Sequence, residues 1–255
     1  QERFFAPVSN VMSTFKLRAS YGSLGNQSVS NYGYIPTMQA VQSDYLIGGN
    51  RPQEIIPPGL VSPNYTWETV NTVNFGVDMG FLEDRLTANF DIYERNTLGM
   101  LTQGRDLPDV LGAAEPNENA ADLRNNGWEL SLNYRDNFEV GGSPLNFSTR
   151  FVLSDSRATI TRFDNPNRNL TQFYEGMELG EIWGLESDGL FRSEDEIQQI
   201  DQTAIIPWGA ISIIPGWPRY VDQNGDGAIT KGNTVDEPQD LTIIGNLSPR
   251  FRFGL

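Results

Sequence analysis

Apolar and polar side chains alternate with a period of two in six separate stretches of the chain. This is the pattern of strands with one greasy and one wet face. In the first, Phe15, Leu17, Ala19 and Tyr21 alternate with Lys16, Arg18 and Ser20. Gly22, Gly25 and Asn26 follow and predict that this strand ends in a tight turn with positive φ. Residues 22–65 read as a long loop broken by Pro52, Pro57, Pro58 and Pro63. A hairpin comes next. Val73, Phe75, Val77 and Met79 oppose Thr72, Asn74 and Asp78 in its first strand, and Leu86, Ala88, Phe90 and Ile92 oppose Thr87, Asn89, Asp91 and Tyr93 in its second. Residues 97–126 read as a second long connection. A second hairpin pairs Trp128, Leu130, Leu132 and Tyr134 with Phe147, Thr149, Phe151 and Leu153 across a turn at Gly141-Gly142-Ser143-Pro144. A long excursion over 158–249 precedes a last alternation at Phe251, Phe253 and Leu255. Within it, acidic Glu194, Asp195 and Glu196 open one short helix over residues 193–202.

The connections run long, short, long, short, long. Strands of alternating direction then carry every long loop at one end and every tight turn at the other, as transmembrane β-barrels do. Phe15, Tyr21, Trp67, Phe75, Phe90, Tyr93, Trp128, Tyr134, Phe147 and Phe151 include several aromatics near strand ends, where barrel girdles lie. The expected fold is therefore all-β. About six strands would form one arc of a large antiparallel transmembrane barrel, because so few cannot close around a lumen. A soluble secreted β-sandwich, acting as a calcium-dependent carbohydrate-binding module, produces the same alternation and is the rival reading.

Composition narrows the chemistry. The chain has no histidine and no cysteine, which removes imidazole and thiolate metal sites, disulfides and the Ser-His-Asp arrangement. The net charge of -15 argues against nucleic acid, since no basic cluster replaces phosphate counterions. No run approaches the roughly 20 apolar residues of a membrane helix, a criterion blind to barrel strands with one polar face. Gln1 is not an initiator Met, and Arg250 to Leu255 reads as the opening of another strand, so the expectation is a piece of a longer protein.

Several segments, in order, resemble the SusC/RagA family of TonB-linked outer-membrane receptors. They are Leu17-Arg-Ala-Ser-Tyr-Gly-Ser-Leu-Gly-Asn-Gln27; Pro63-Asn-Tyr-Thr-Trp-Glu68 leading to Asn74-Phe-Gly-Val-Asp78; Asp91-Ile-Tyr-Glu-Arg-Asn-Thr97 with Met100-Leu101; Asn126-Gly-Trp-Glu-Leu130; and Gly180-Glu-Ile-Trp-Gly184, Asp188-Gly-Leu-Phe191 and Tyr220-Val-Asp-Gln-Asn-Gly-Asp-Gly227. The resemblance implies that residues 1–255 are part of a barrel of about 22 strands, with 158–249 a long extracellular loop. It implies an outer membrane of a Gram-negative bacterium and surrounding lipid. A SusD-like surface lipoprotein, a TonB complex reached through a plug domain, and an oligosaccharide or peptide ligand are the implied partners. On this reading the chain is a transport component and not an enzyme.

One motif has metal-like spacing. Asp222, Asn224 and Asp226 sit at positions 1, 3 and 5 of an EF-hand-type loop, Gly227 at the sharp turn and Ala228 where a backbone carbonyl is used. Oxygen donors of this kind suit Ca²⁺. Position 12 holds Asn233 in place of the usual bidentate acid, with Asp236 or Glu237 as substitutes. Turn chemistry alone also explains such an Asx-rich loop. The acid pairs Glu83-Asp84 and Glu194-Asp195 read as solvated turn or helix-start residues. Trp183, Phe191, Trp208, Trp217 and Tyr220 are candidates for contacting a ligand or the lipoprotein, against a packing role inside the loop. The apolar run Ala204–Pro215 is expected to lie under a partner or within the loop.

Overall fold

The computed structural model describes residues 11–26, 32–63, 65–104, 108, 110, 112–205 and 212–255. In chain order the strands are β1 (Met12–Asn26), β2 (Gln39–Gln42), β3 (Gln53–Ile56), β4 (Glu68–Phe81), β5 (Leu86–Gln103), β6 (Asn117–Val140), β7 (Ser143–Arg162), β8 (Glu181–Leu185) and β9 (Ser187–Leu190). The one-turn helix α1 (Glu194–Ile197) follows, then β10 (Pro218–Tyr220), β11 (Leu241–Asn246) and β12 (Arg252–Gly254). Six of these form one antiparallel sheet in the order β1-β4-β5-β6-β7-β12, and three two-stranded ribbons, β2-β3, β8-β11 and β9-β10, sit in the long connections.

Register makes the two faces of this sheet explicit. Leu17, Val77, Phe90, Leu130, Leu153 and Phe253 stand side by side across all six strands. Neighbouring rows on the same face are Phe15, Met79, Ala88, Leu132 and Phe151 below, and Ala19, Phe75, Ile92 and Trp128 above. From Phe81 to Val73 this apolar band spans about 27 Å at about 3.4 Å per residue, close to the roughly 25 Å apolar band of outer-membrane barrels. Tyr134, Phe138 and Phe147 pack ring to ring at its short-turn edge, with centroids 6.3 and 6.4 Å apart.

The opposite face is polar over the same height. Arg18, Gly76, Asp91, Glu129, Ser154 and Arg252 form one of its rows. Towards the long-loop end the pattern inverts. Leu24, Val70, Thr97, Leu123 and Ile160 form a row on the formerly polar side, while Ser23, Asn71, Asn96, Arg124 and Thr159 form one on the formerly apolar side.

No second layer of strands packs on either face of the sheet among the described residues. Leu17 is 69% and Phe75 55% exposed, so the band has no protein cover there. This overturns the sandwich reading, which requires a second sheet about 10 Å away over the apolar side chains. Among the described residues the buried apolar side chains are few: Ala88, Ala121, Ile160, Tyr174, Phe191 and Ile229. Tyr174, Phe191 and Ile229 lie in the excursion beyond β7, and Ile160, near the end of β7, is covered where the excursion folds back. There the backbone N–H of Ile160 donates to Met177 O at 2.9 Å, and that of Gly176 donates to Ile160 O at 2.9 Å.

Three expectations about element ends are corrected. β1 does not turn at Gly22 but stays paired with β4 through Asn26↔Glu68. Neither Gly22 nor Gly25 has positive φ; Gly25 lacks a Cβ because the Trp67 ring lies where one would be, 2.9 Å away. The connection expected over 97–126 shrinks to 104–116, since β5 and β6 continue past a register shift between Thr97 and Met100. Gly99, at φ 64, makes that bulge, and its N–H donates to Asp122 Oδ1 at 2.7 Å. The expected helix closes after one turn, capped by the Ser193 hydroxyl on Glu196 N. The tight turns are as expected: Leu82, Glu83 and Asp84 take positive φ in one, and Gly141 and Gly142 in the other.

Candidate functional site

On the polar face Arg18 bridges two strands. Its Nε donates to both Asp78 oxygens at 3.0 Å, and its Nη2 donates to Asp91 Oδ2 at 2.8 Å. Asn89 Nδ2 completes the cluster on Asp78 Oδ1 at 2.7 Å. Gly76 is what admits the guanidinium, because a Cβ there would lie 2.6 Å from Arg18 Nη2. Further along, Arg150 Nε donates to Ser131 Oγ at 3.2 Å. Together these side chains line a polar concavity of about 720 Å³. Tyr93 belongs to this face and not to an aromatic girdle: its ring covers Gly127, where a Cβ would meet it at 2.5 Å. Asp84 is a tie, accepting from Ser13 Oγ at 2.7 Å, so Glu83-Asp84 is not a free carboxylate pair.

The long-loop end is stitched by side chains. Glu68 accepts from Leu101 N and from Asn26 Nδ2 at 2.9 and 2.6 Å. Asn119 exchanges hydrogen bonds with the Thr66 backbone at 2.9 and 3.0 Å. Arg162 grips Asp122 at 2.7 and 2.9 Å. These ties join neighbouring strands at their long-loop ends.

The candidate aromatics divide between two ribbons. Trp183 lies on β8, where its indole N–H donates to Glu181 Oε1 at 2.8 Å, and the Tyr174 hydroxyl donates to the same oxygen. Phe191, Trp217 and Tyr220 gather on the β9-β10 ribbon. Phe191 is 2% exposed, and its N–H donates to Trp217 O at 3.0 Å. Tyr220 N donates to Gln202 Oε1 at 2.9 Å. Trp208 and residues 206–211 of the apolar run lie outside the described residues. Phe191 is thus committed to the interior of the loop, and Trp183 spends its polar group there. Arg219 ties the second ribbon by a two-pronged pair to Asp188 at 2.8 and 2.9 Å, which holds the Asp188 carboxyl below the ordinary carboxylate value.

The Asx-rich loop has the expected turn. Asp222 accepts from Gly227 N at 2.8 Å and Gly225 N at 2.6 Å, and these amides hold its carboxyl below the ordinary value of 3.8. Asn224 accepts from Asp226 N at 3.0 Å and Asp226 from Ala228 N at 2.8 Å. Asn233 does not close this loop; its carbonyl accepts from Leu170 N at 2.9 Å. Asp236 pairs with Arg168 at 2.6 Å. The acid that reaches the loop is Asp240, wholly buried, which accepts from Gln223 N at 2.9 Å and Thr230 N at 2.7 Å. Among the described residues no three acidic side chains converge at cation-holding spacing. Asp240 lies beyond the twelve-residue frame, so position counting misses it. Its signal in the sequence is only that it stands before the apolar run at Leu241.

An antiparallel sheet with a one-sided apolar band, tight turns at one end and long folded loops at the other defines the wall of a β-barrel membrane protein. The model of the TonB-dependent receptor-like β-barrel family matches residues 5–251, and the chain belongs to that family. TonB-dependent receptor P3 of Formosa agariphila is 26% identical over 98% of this chain and 24% of its own length. TonB-dependent receptor SusC of Bacteroides thetaiotaomicron is 32% identical over 52% of this chain and 13% of its own. The structure of the RagAB peptide transporter matches with a TM-score of 0.66 at 21% identity, over 98% of this chain and 25% of that one. The 'closed-closed' state of the RagAB peptide importer gives 0.67 at 19% identity. The chain spans about a quarter of the length of the P3 relative and of the RagAB chain. The family is one of outer-membrane receptors and transporters, not an enzyme class.

Proposed function

We propose that this chain supplies wall strands and loops to a TonB-dependent importer of oligosaccharides or peptides in a Gram-negative outer membrane. In this reading the apolar band faces lipid, the polar face lines the lumen, and the long-loop end is extracellular, where a SusD-like lipoprotein covers the excursion. The observation that carries it is the six-strand apolar row from Leu17 to Phe253, uncovered by protein and inverted above the band. Lipid satisfies the row, and a polar lumen satisfies the Arg18 cluster. The decisive experiment is uptake. Cells lacking the whole receptor should fail to accumulate the ligands that complemented cells take up, in a manner abolished by dissipating the proton gradient; equal uptake in both strains refutes the role.

Calcium at residues 222–228 is a finer part of the reading. It is supported by the alternating oxygens of Asp222, Asn224 and Asp226 and by Gly227 at φ 84, with Asp240 the acid at hand in place of Asn233. Calcium should protect the excursion of the full receptor against protease in the wild type and not in Asp222→Ala; identical digestion with calcium or chelator would remove the ion from the account.

A further inference from the structure

We propose that Arg124, Asn126, Arg157 and Thr159 form a site for the phosphate of an outer-leaflet lipid headgroup, on the wall just above the apolar band. The site rests on the reading that turns the band to lipid. Two adjacent cross-strand pairs make it: Arg124↔Thr159 and Asn126↔Arg157 join β6 to β7 in unbroken register with Trp128 and Leu153, so all four residues share the face of the band. Directly opposed side chains lie about 5 Å apart, and positions two along a strand about 7 Å apart. The patch is therefore the size of one phosphate, and each of its side chains carries a hydrogen-bond donor. Arg124 stands four residues beyond Trp128, and Arg157 four beyond Leu153, the last apolar side chains of their strands on this face. That is about 14 Å along the strands and about 10 Å in height at a tilt near 45°. Headgroups lie just outside the hydrocarbon layer, and a long arginine stem reaches back towards them.

Charge points the same way. In a chain of net charge -15, most arginines of the sheet and excursion are claimed by acids. Arg18, Arg162 and Arg219 each hold a carboxylate, at 2.8, 2.7 and 2.8 Å. Arg124 and Arg157 differ. Glu94 Oε2 is 3.9 Å from Arg124 and Glu178 Oε2 is 3.7 Å from Arg157, beyond hydrogen-bond reach, with the arginine side chains 49% and 58% exposed. Exposed pairs this loose contribute little. The acids around the patch have other partners: Glu94 accepts from Asn96 Nδ2 at 2.8 Å, and Asp155 from Arg250 Nε at 2.6 Å. Arg124 Nε donates to Asn96 Oδ1 at 3.2 Å, which steadies one edge of its guanidinium. A phosphate offers both arginines shorter, two-pronged, charge-assisted bonds. Free phosphate has the same chemistry, but the patch lies on the face of the lipid band. Arg95, opposite Asn125, belongs to the other face.

The test uses the purified full-length receptor in a maltoside detergent, with bound lipid quantified by native mass spectrometry. The probes are lipid A, the same lipid stripped of its phosphates, and inorganic phosphate. Lipid A should bind about tenfold more tightly than its dephosphorylated form. Arg124→Gln with Arg157→Gln should remove that difference, and Arg95→Gln should leave it unchanged. If the double variant loses the heat-modifiable form of the folded barrel, Arg157→Gln alone carries the test, with a loss of about threefold. Equal binding of the two lipids, a preference that survives the arginine variants, or an equal loss in Arg95→Gln would each overturn the site. Inorganic phosphate bound as tightly as lipid A would overturn the lipid assignment in favour of a free anion. If the site fails while cells still import through the receptor, the transport role stands. Arginine-dependent lipid binding in a receptor that imports nothing would overturn the role and leave the site.

Discussion

Phe191 shows how a residue with a plausible binding role can be claimed by packing. An aromatic in an acidic, glycine-rich loop invites a ligand-stacking role, yet it is 2% exposed with its backbone bonded to Trp217 and Gly216. Phe191→Ala should destabilise the β9-β10 ribbon by about 3 kcal/mol, as for other buried aromatics. The loss should appear as faster hydrogen exchange in residues 187–220 of the full receptor and not in β4–β7. The acids of the same loop carry a pH signature. Asp222, held low by the amides of Gly227 and Gly225, and Asp188, held low by Arg219, have folded values below 3.8. A carboxylate depressed on folding contributes stability that is complete above its unfolded value and lost as pH falls through the folded one. The excursion should therefore become protease-sensitive below about pH 4, while the strands stay protected; loss of protection on raising pH from 5 to 8 would contradict this.

At the scale of elements, the strands were legible because period two and burial coincide. Each apolar side chain between Val73 and Phe81, or between Leu86 and Ile92, lands on the face that the register confirms. Element ends were less legible. Gly22 and Gly25 read as a turn because glycine permits positive φ, but Gly25 serves close approach, which only the position of Trp67 reveals, and Gly22 has open space where a Cβ would lie. The bulge at Gly99 likewise depends on Asp122, which is 23 residues away in the sequence. The band itself invites a direct test. Leu130→Arg places a charge near mid-height of the apolar row that the proposed function turns to lipid, where the cost in a barrel is about 2–4 kcal/mol. The full receptor carrying it should assemble poorly into outer membranes, as judged by loss of the heat-modifiable form on gels. Ser131→Arg, one residue along and on the polar face, should assemble normally.

For the molecule as a whole, the sheet and the excursion are separable in their energetics. The wall is held by ladder hydrogen bonds, cross-strand pairs such as Phe90 with Trp128 at 6.3 Å, and its surroundings. The excursion has its own small core around Phe191, Ile229 and Asp240 and is moored to β7 at Ala158 and Ile160. Replacing residues 164–249 with a short Gly-Ser linker should therefore leave the receptor heat-modifiable and correctly inserted while abolishing uptake. Failure to insert would show that the excursion is needed to form the wall.

The sequence by itself determined an all-β chain of about six alternating strands, its ordered segments carried the family resemblance, and the alternation left barrel wall and sandwich both open. A period of two records which face each residue takes, and the order of long and short connections records which end each loop occupies; both are local properties of the chain. Only the tertiary structure decided which side chains meet. The Arg18 cluster joins three strands, Asp240 enters the Asx-rich loop from outside its twelve-residue frame, and Asn165 ties both limbs of the turn between Phe163 and Phe173. Contacts of that kind depend on register and on the path of the loops, which pairwise geometry fixes and composition does not encode.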